Sequence, residues 1–170
     1  MKLDKYIRSI PDFPKKGILF KDITTLLNHP KAFKSSIEQL AKTLKNTKID
    51  VIVAAESRGF IFGGALAYKL NCAFVPVRKP GKLPYKTFKA TYSLEYGKDS
   101  LEIHRDAFKK GASVLILDDL LATGGTAKAI ANLVKKLGGK ISGILFLIEL
   151  TMLCGRKNLK NLPVYSLIKY

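Results

Sequence analysis

Two adjacent carboxylates and a glycine-rich turn carry most of the chemistry in this 170-residue chain. The segment Val114-Leu115-Ile116-Leu117-Asp118-Asp119-Leu120-Leu121-Ala122-Thr123-Gly124-Gly125-Thr126 runs from an apolar stretch into an acidic pair, then into Thr-Gly-Gly-Thr. Glycines allow a tight turn and close backbone approach to a ligand, and the unpaired N–H groups at the start of a following helix favour a phosphate. Thr123 and Thr126 add hydroxyl donors. Acids beside a phosphate cradle would repel the phosphate itself, so their partners should be sugar hydroxyls or a divalent cation. A phosphorylated sugar satisfies both halves. The pattern is neither a P-loop, since no Gly-Lys-Ser/Thr follows, nor G-x-G-x-x-G.

Such a site needs a strand before the acids and a helix after the glycines. Ser113–Leu117 reads as a fully apolar strand, and Thr126–Leu137 as a helix stopped by Gly138-Gly139. Upstream, residues 31–46 place Phe33, Ile37, Leu40, Ala41 and Leu44 at helical spacing. Residues 50–55 read as a short buried strand and 72–77 as strand-like, with a helix over 59–70 between them whose Gly63, Gly64, Ala65 and Ala67 permit close packing on a sheet. A Pro/Gly/Lys-rich loop covers 78–86. Residues 87–104 alternate like antiparallel strands broken near Gly97, and 141–149 form another buried strand. Strands alternating with helices of this length predict βαβ units and a mainly parallel sheet flanked by helices, an α/β fold.

Composition narrows the class. With 47% hydrophobic residues the chain can bury a core, and no apolar run approaches the ~18 residues of a membrane span. Residues 1–20 lack the continuous apolar stretch of a secretory signal, and Cys72 and Cys154 are too few for a disulfide framework; both features point to a soluble, cytoplasmic, single-domain protein. The 30 basic against 13 acidic residues give +17. Only five of the basic residues are arginines and none of the lysines form a long run, which reads as solvated surface charge and makes nucleic-acid binding an unfavoured reading. His29 and His104 have no companions at metal-ligand spacing.

The Asp118–Thr126 motif resembles the phosphoribosyl-diphosphate motif of type I phosphoribosyltransferases, in the form found in those that use adenine. Pro11-Asp12-Phe13-Pro14, Gly17-Ile18-Leu19-Phe20-Lys21-Asp22, Glu56-Ser57-Arg58-Gly59-Phe60, Arg78-Lys79-Pro80-Gly81-Lys82-Leu83-Pro84, Leu94-Glu95-Tyr96-Gly97, Glu149-Leu150-Thr151 and Tyr165-Ser166-Leu167 follow in the same order, so the resemblance spans nearly the whole chain. It implies one domain over 1–170, with a small hood from about residues 1–30 and a flexible loop. It implies transfer of a 5-phosphoribosyl group from 5-phosphoribosyl 1-diphosphate to adenine, giving AMP and diphosphate in purine salvage.

By this resemblance Ala122, Thr123, Gly124, Gly125 and Thr126 hold the 5-phosphate, and Asp118 and Asp119 engage the ribose hydroxyls. Arg58, Lys79 and Lys82 approach the diphosphate. Leu19, Phe20 and Lys21 cover adenine, with Phe20 stacking on one face and Leu150 closing the other. Glu95, on a closing loop with Tyr96, is the candidate proton acceptor. Mg²⁺ is expected on substrate oxygens and water rather than on protein ligands, with water-mediated links to Asp118 and Asp119 at most. A homodimer is implied, and a non-proline cis peptide is expected at Glu56–Ser57. Lys16 and Thr25 depart from the family pattern, standing where relatives often carry proline. Another purine as acceptor, or a non-catalytic regulator that binds phosphoribosyl diphosphate, are the alternative readings.

Overall fold

The computed structural model describes residues 1–93 and 98–170, with only the backbone of Ser93 and Lys98. Glu95 and Tyr96 lie outside the described residues. The chain opens with a short antiparallel pair, β1 (Arg8–Ile10) and β2 (Phe20–Asp22), which Arg8 pins by donating from Nε to Asp22 Oδ2 at 3.0 Å. Helices α1 (Thr24–Leu27) and α2 (Pro30–Thr43) follow. Proline at the first turn of α2 costs no hydrogen bond, and the His29 ring accepts from the Ala32 N–H at 3.2 Å, capping an orphan donor.

Next come β3 (Val51–Ala55), α3 (Arg58–Leu70), β4 (Ala73–Val77), and the antiparallel pair β5 (Thr87–Ser93) and β6 (Lys98–His104). Then follow β7 (Ser113–Leu121), α4 (Gly125–Lys136), β8 (Lys140–Glu149) and β9 (Val164–Lys169). Five strands pair in parallel in the order β4-β3-β7-β8-β9.

Because successive strand residues face opposite sides, β7 feeds two cores. Val114 and Ile116 pack on one face with Ile130 and Val134 of α4 and Leu101 and Ile103 of β6. Leu115 and Leu117 pack on the other with Leu40 of α2 and Phe62 and Leu66 of α3. The small residues of α3 act as their spacing suggests at Gly63, where a Cβ would sit 2.9 Å from that of Ala54.

Three elements differ from the sequence reading. β7 does not stop at Leu117 but continues to Leu121, because Leu120 and Leu121 keep pairing with Ile148 and Glu149 of β8. Asp118 and Asp119 are therefore strand residues, held by the ladder rather than by a loose turn. The edge strand β9 and the β1–β2 pair were not anticipated. The Val164–Lys169 run is short and only half-buried, so its pattern is weak; β1 and β2 are three residues each.

Candidate active site

In a parallel sheet all the strands present their carboxyl ends on one edge, so the residues that follow them are gathered there. β3 lies between β4 and β7. The Glu56–Arg58 turn after β3 accordingly sits between the basic loop after β4 and the Asp118–Thr126 segment. These pieces enclose a cleft of about 470 Å³ lined by Glu56, Ser57, Arg58, Lys79, Asp118, Asp119, Ala122 and Thr126, with Tyr92 and Asp99 from the β5–β6 pair. The expected cis peptide is present at Glu56–Ser57.

The acidic pair is not equivalent. Asp119 is 5% exposed, and its Oδ2 lies 2.7 Å from Arg58 Nε. Burial pushes its carboxyl up, and the Arg58 charge offsets part of that. Asp118 accepts the Asp119 N–H at 2.9 Å and is pushed well above the carboxylate range, first by burial and then by the charge of Asp119. One carboxylate is thus fixed by a cation, while its neighbour favours a proton or a bound cation.

Lys79 lines the cleft and Lys82 meets its Glu56 wall, so both are held by internal carboxylates. Lys79 Nζ lies 2.7 Å from Asp99 Oδ2, and Lys82 Nζ lies 2.6 Å from Glu56 Oε1. Glu56 also accepts from Arg78 Nη2 at 3.2 Å and from the Lys79 N–H at 3.1 Å. The Lys82 ammonium, with these further donors, holds the Glu56 carboxyl at about 2 against burial.

The glycine turn is built by backbone contact. Gly124 adopts φ +83°, where L side chains are strained, and a Cβ there would lie within van der Waals contact of the Gly155 carbonyl. A Cβ on Gly155 would in turn collide with the Ala122 carbonyl. Two glycines from distant parts of the chain let two backbones touch. Within the turn, Ala122 to Thr126 surround a hollow of about 60 Å³, several times the ~15 Å³ that one water needs.

On the hood side, Leu19 is 52% exposed rather than core, and the Phe20 ring sits between the Phe13 ring, 5.0 Å away edge-on, and the Arg58 guanidinium at 5.3 Å. Arg58 therefore links Asp119 of the acidic pair with the predicted base-stacking ring. The Lys21 side chain is buried and turned away, donating to Ser9 Oγ at 2.9 Å with Nζ 3.7 Å from the Tyr170 ring centre; only its backbone is left for a ligand. Leu150 is half-buried, and its N–H donates to the Leu121 carbonyl at 2.9 Å, fixing the end of β8 beside the end of β7.

Sequence reasoning gave no role to Glu56, Tyr92, Asp99, Gly155 or Asn158. The Tyr92 hydroxyl lies 3.5 Å from Thr126 Oγ1 and 3.4 Å from Asp99 Oδ2, and Asn158 Nδ2 donates to the Thr123 carbonyl at 2.8 Å. For Glu56 one signal existed, a carboxylate directly after a buried strand and two residues from Arg58.

Glu149, next to Leu150, is buried as well; Arg156 donates to both its oxygens at 2.7 Å, and these bonds hold its carboxyl at about 2. Because Glu56 and Glu149 bind protons less readily folded than unfolded, their stabilisation is complete above the ordinary value of 4.5 and is lost as pH falls toward about 2. The upward shifts of Asp118 and Asp119 act in the opposite sense. Glu149→Gln isolates one carboxyl: its melting temperature is expected to decline less steeply than that of the unmodified chain between about pH 6 and pH 3. Equal slopes would contradict the assignment.

The family described as phosphoribosyl transferase domain matches residues 22–168. The chain belongs to the phosphoribosyltransferase family. It is 60% identical over 170 residues, the full length of both chains, to adenine phosphoribosyltransferase of Brachyspira hyodysenteriae. The crystal structure of the adenine phosphoribosyltransferase of Thermoanaerobacter pseudethanolicus superposes with a TM-score of 0.98 at 59% identity, covering 99% of this chain and 98% of that one. The Saccharomyces cerevisiae adenine phosphoribosyltransferase, complexed with an imino-altritol bisphosphate and adenine, gives a TM-score of 0.92 at 44% identity, covering 97% and 96%. The five-stranded parallel sheet is thus the type I phosphoribosyltransferase fold. Among the described residues no helix is long and apolar enough to cross a membrane.

Proposed function

We propose that this phosphoribosyltransferase moves the 5-phosphoribosyl group of 5-phosphoribosyl 1-diphosphate onto adenine, releasing AMP and diphosphate. The observation that carries the reading is the convergence on one strand edge of three kinds of group: a glycine turn around a small hollow, a carboxylate pair, and three cations, Arg58, Lys79 and Lys82. Full-length relatives named for adenine support the choice of base.

In this account the N–H groups and hydroxyls of 122–126 hold the 5-phosphate, and Asp118 and Asp119 accept from the ribose hydroxyls. The diphosphate takes over the cations now held by internal carboxylates, drawing Lys82 from Glu56 and Lys79 from Asp99. Arg58, whose planar fork suits paired oxygens, turns from Asp119 toward the same group. Adenine lies between Phe20 and Leu150, with the backbone of Leu19 to Lys21 reading its edge. Glu95 is the proposed proton acceptor.

No enzyme nucleophile is needed. The adenine nitrogen attacks the anomeric carbon as its bond to diphosphate breaks. The protein contributes alignment, positive charge at the departing diphosphate and exclusion of water. Asp118 and Asp119 are hard oxygen donors that would suit Mg²⁺. That donor set fits an ion carried mainly by substrate oxygens and water and linked to the pair. When bound, Mg²⁺ neutralises diphosphate charge. We further propose one domain over residues 1–170 with its hood in about 1–30, a homodimer, and cytoplasmic residence.

Release of diphosphate measured with adenine, hypoxanthine and guanine in turn tests the reading. Turnover with adenine at least about tenfold above the other two is expected, since a site built to read one base edge leaves buried polar groups unpaired with the wrong one. Preference for another purine, or binding of the sugar diphosphate with no turnover, would overturn it.

A further inference from the structure

We infer that Asn158 is a positioning residue for the 5-phosphate turn, and that the Gly155–Leu159 segment is the brace through which it acts. This inference rests on the reading of 122–126 given above. Gly124-Gly125 is the part of the site least able to hold its own shape, because glycine has the widest choice of backbone conformations. Something outside the turn must select one.

Three observations identify what does. The backbones of Gly155 and Gly124 meet so closely that neither position has room for a methyl group. Asn158 Nδ2 donates to the Thr123 carbonyl at 2.8 Å across 35 positions of sequence. The brace is itself immobilised: Arg156 grips both oxygens of Glu149 at the end of β8, and donates to the Val164 carbonyl at 2.9 Å and to Ser166 Oγ at 3.2 Å on β9. Thr123 is exposed, and Asn158 is exposed and outside the folding core, so its amide makes no packing contribution that its loss would remove. Its bond orients the peptide whose neighbours face the phosphate. The same brace is tied, through Glu149, to the strand end that carries Leu150. Phosphate turn and base site thus share one support.

The test uses ribose 5-phosphate and inorganic diphosphate as separate probes, titrated by calorimetry against the full chain, Asn158→Ala and Thr126→Val. Asn158→Ala is expected to weaken ribose 5-phosphate roughly three- to tenfold, the range of one hydrogen bond, with diphosphate affinity within about twofold and the melting temperature lowered by no more than a few degrees. If Thr126→Val weakens ribose 5-phosphate and Asn158→Ala does not, the brace is wrong while the phosphate turn stands. If neither does, both readings fall. A parallel loss of both ligands with a lower melting temperature would show a merely structural residue and overturn the proposal.

Discussion

Gly124→Ala is expected to lower kcat/KM by at least about a hundredfold, the scale of loss when a reacting group is misplaced by an ångström or so. The added methyl faces two obstacles. At φ +83° an L residue is in the left-handed region, costing about 1–2 kcal/mol. Its Cβ would also lie inside the contact distance of the Gly155 carbonyl, which cannot rotate away as a side chain could. The turn must therefore shift, and its N–H groups leave the hollow bounded by Ala122 and Thr126. The five-stranded sheet does not depend on this turn, so a cooperative unfolding transition should persist, lowered by a few degrees. Steady-state kinetics with calorimetry checks both parts. Near-normal activity would mean that the turn does not hold the sugar phosphate.

Asp119→Asn is the second large effect, expected to be at least about a hundredfold on turnover with the fold intact. The amide has the carboxylate's shape but neither its charge nor its full capacity to accept from two hydroxyls. Stability should hold or rise slightly. Asp119 is 5% exposed and its burial disfavours the charged form, so a neutral isostere is cheaper to bury; Arg58, 39% exposed, keeps its hydration when its partner is lost. Loss of activity without loss of melting temperature separates a ligand-facing acid from a structural one. Retained activity would remove Asp119 from the site.

What could be read from the residues and what could not divide along sequence distance. The acidic pair and the glycine turn were legible because the strand, acids, turn and helix start are contiguous, and each residue type has a local physical reason to be there. The core strands were legible because burial on both faces leaves an unbroken apolar run, as in Val51–Ala55. β7 outran its reading because strand pairing with Ile148 and Glu149 is a tertiary decision. Lys21 was expected to face adenine, yet its side chain turns to Ser9 and Tyr170, a choice made by a strand partner and by the last residue of the chain.

The contacts that organise the cleft span longer intervals: 26 positions for Lys82 on Glu56, 34 for Thr126 and Tyr92, 35 for Asn158 and Thr123. A motif cannot announce a partner that only the fold brings near. These contacts also change how the cations are understood. Lys79 and Lys82 are already paired with carboxylates of the chain, so under the proposed function diphosphate would enter by an exchange of anions rather than by filling a bare positive site.

The most direct measurement is a crystal structure of the chain grown with AMP. The phosphate is expected within hydrogen-bonding distance of the N–H groups between Thr123 and Thr126, with the ribose hydroxyls on Asp118 and Asp119 and the base against Phe20. AMP bound elsewhere, with the 122–126 turn and the acidic pair untouched, would contradict the account.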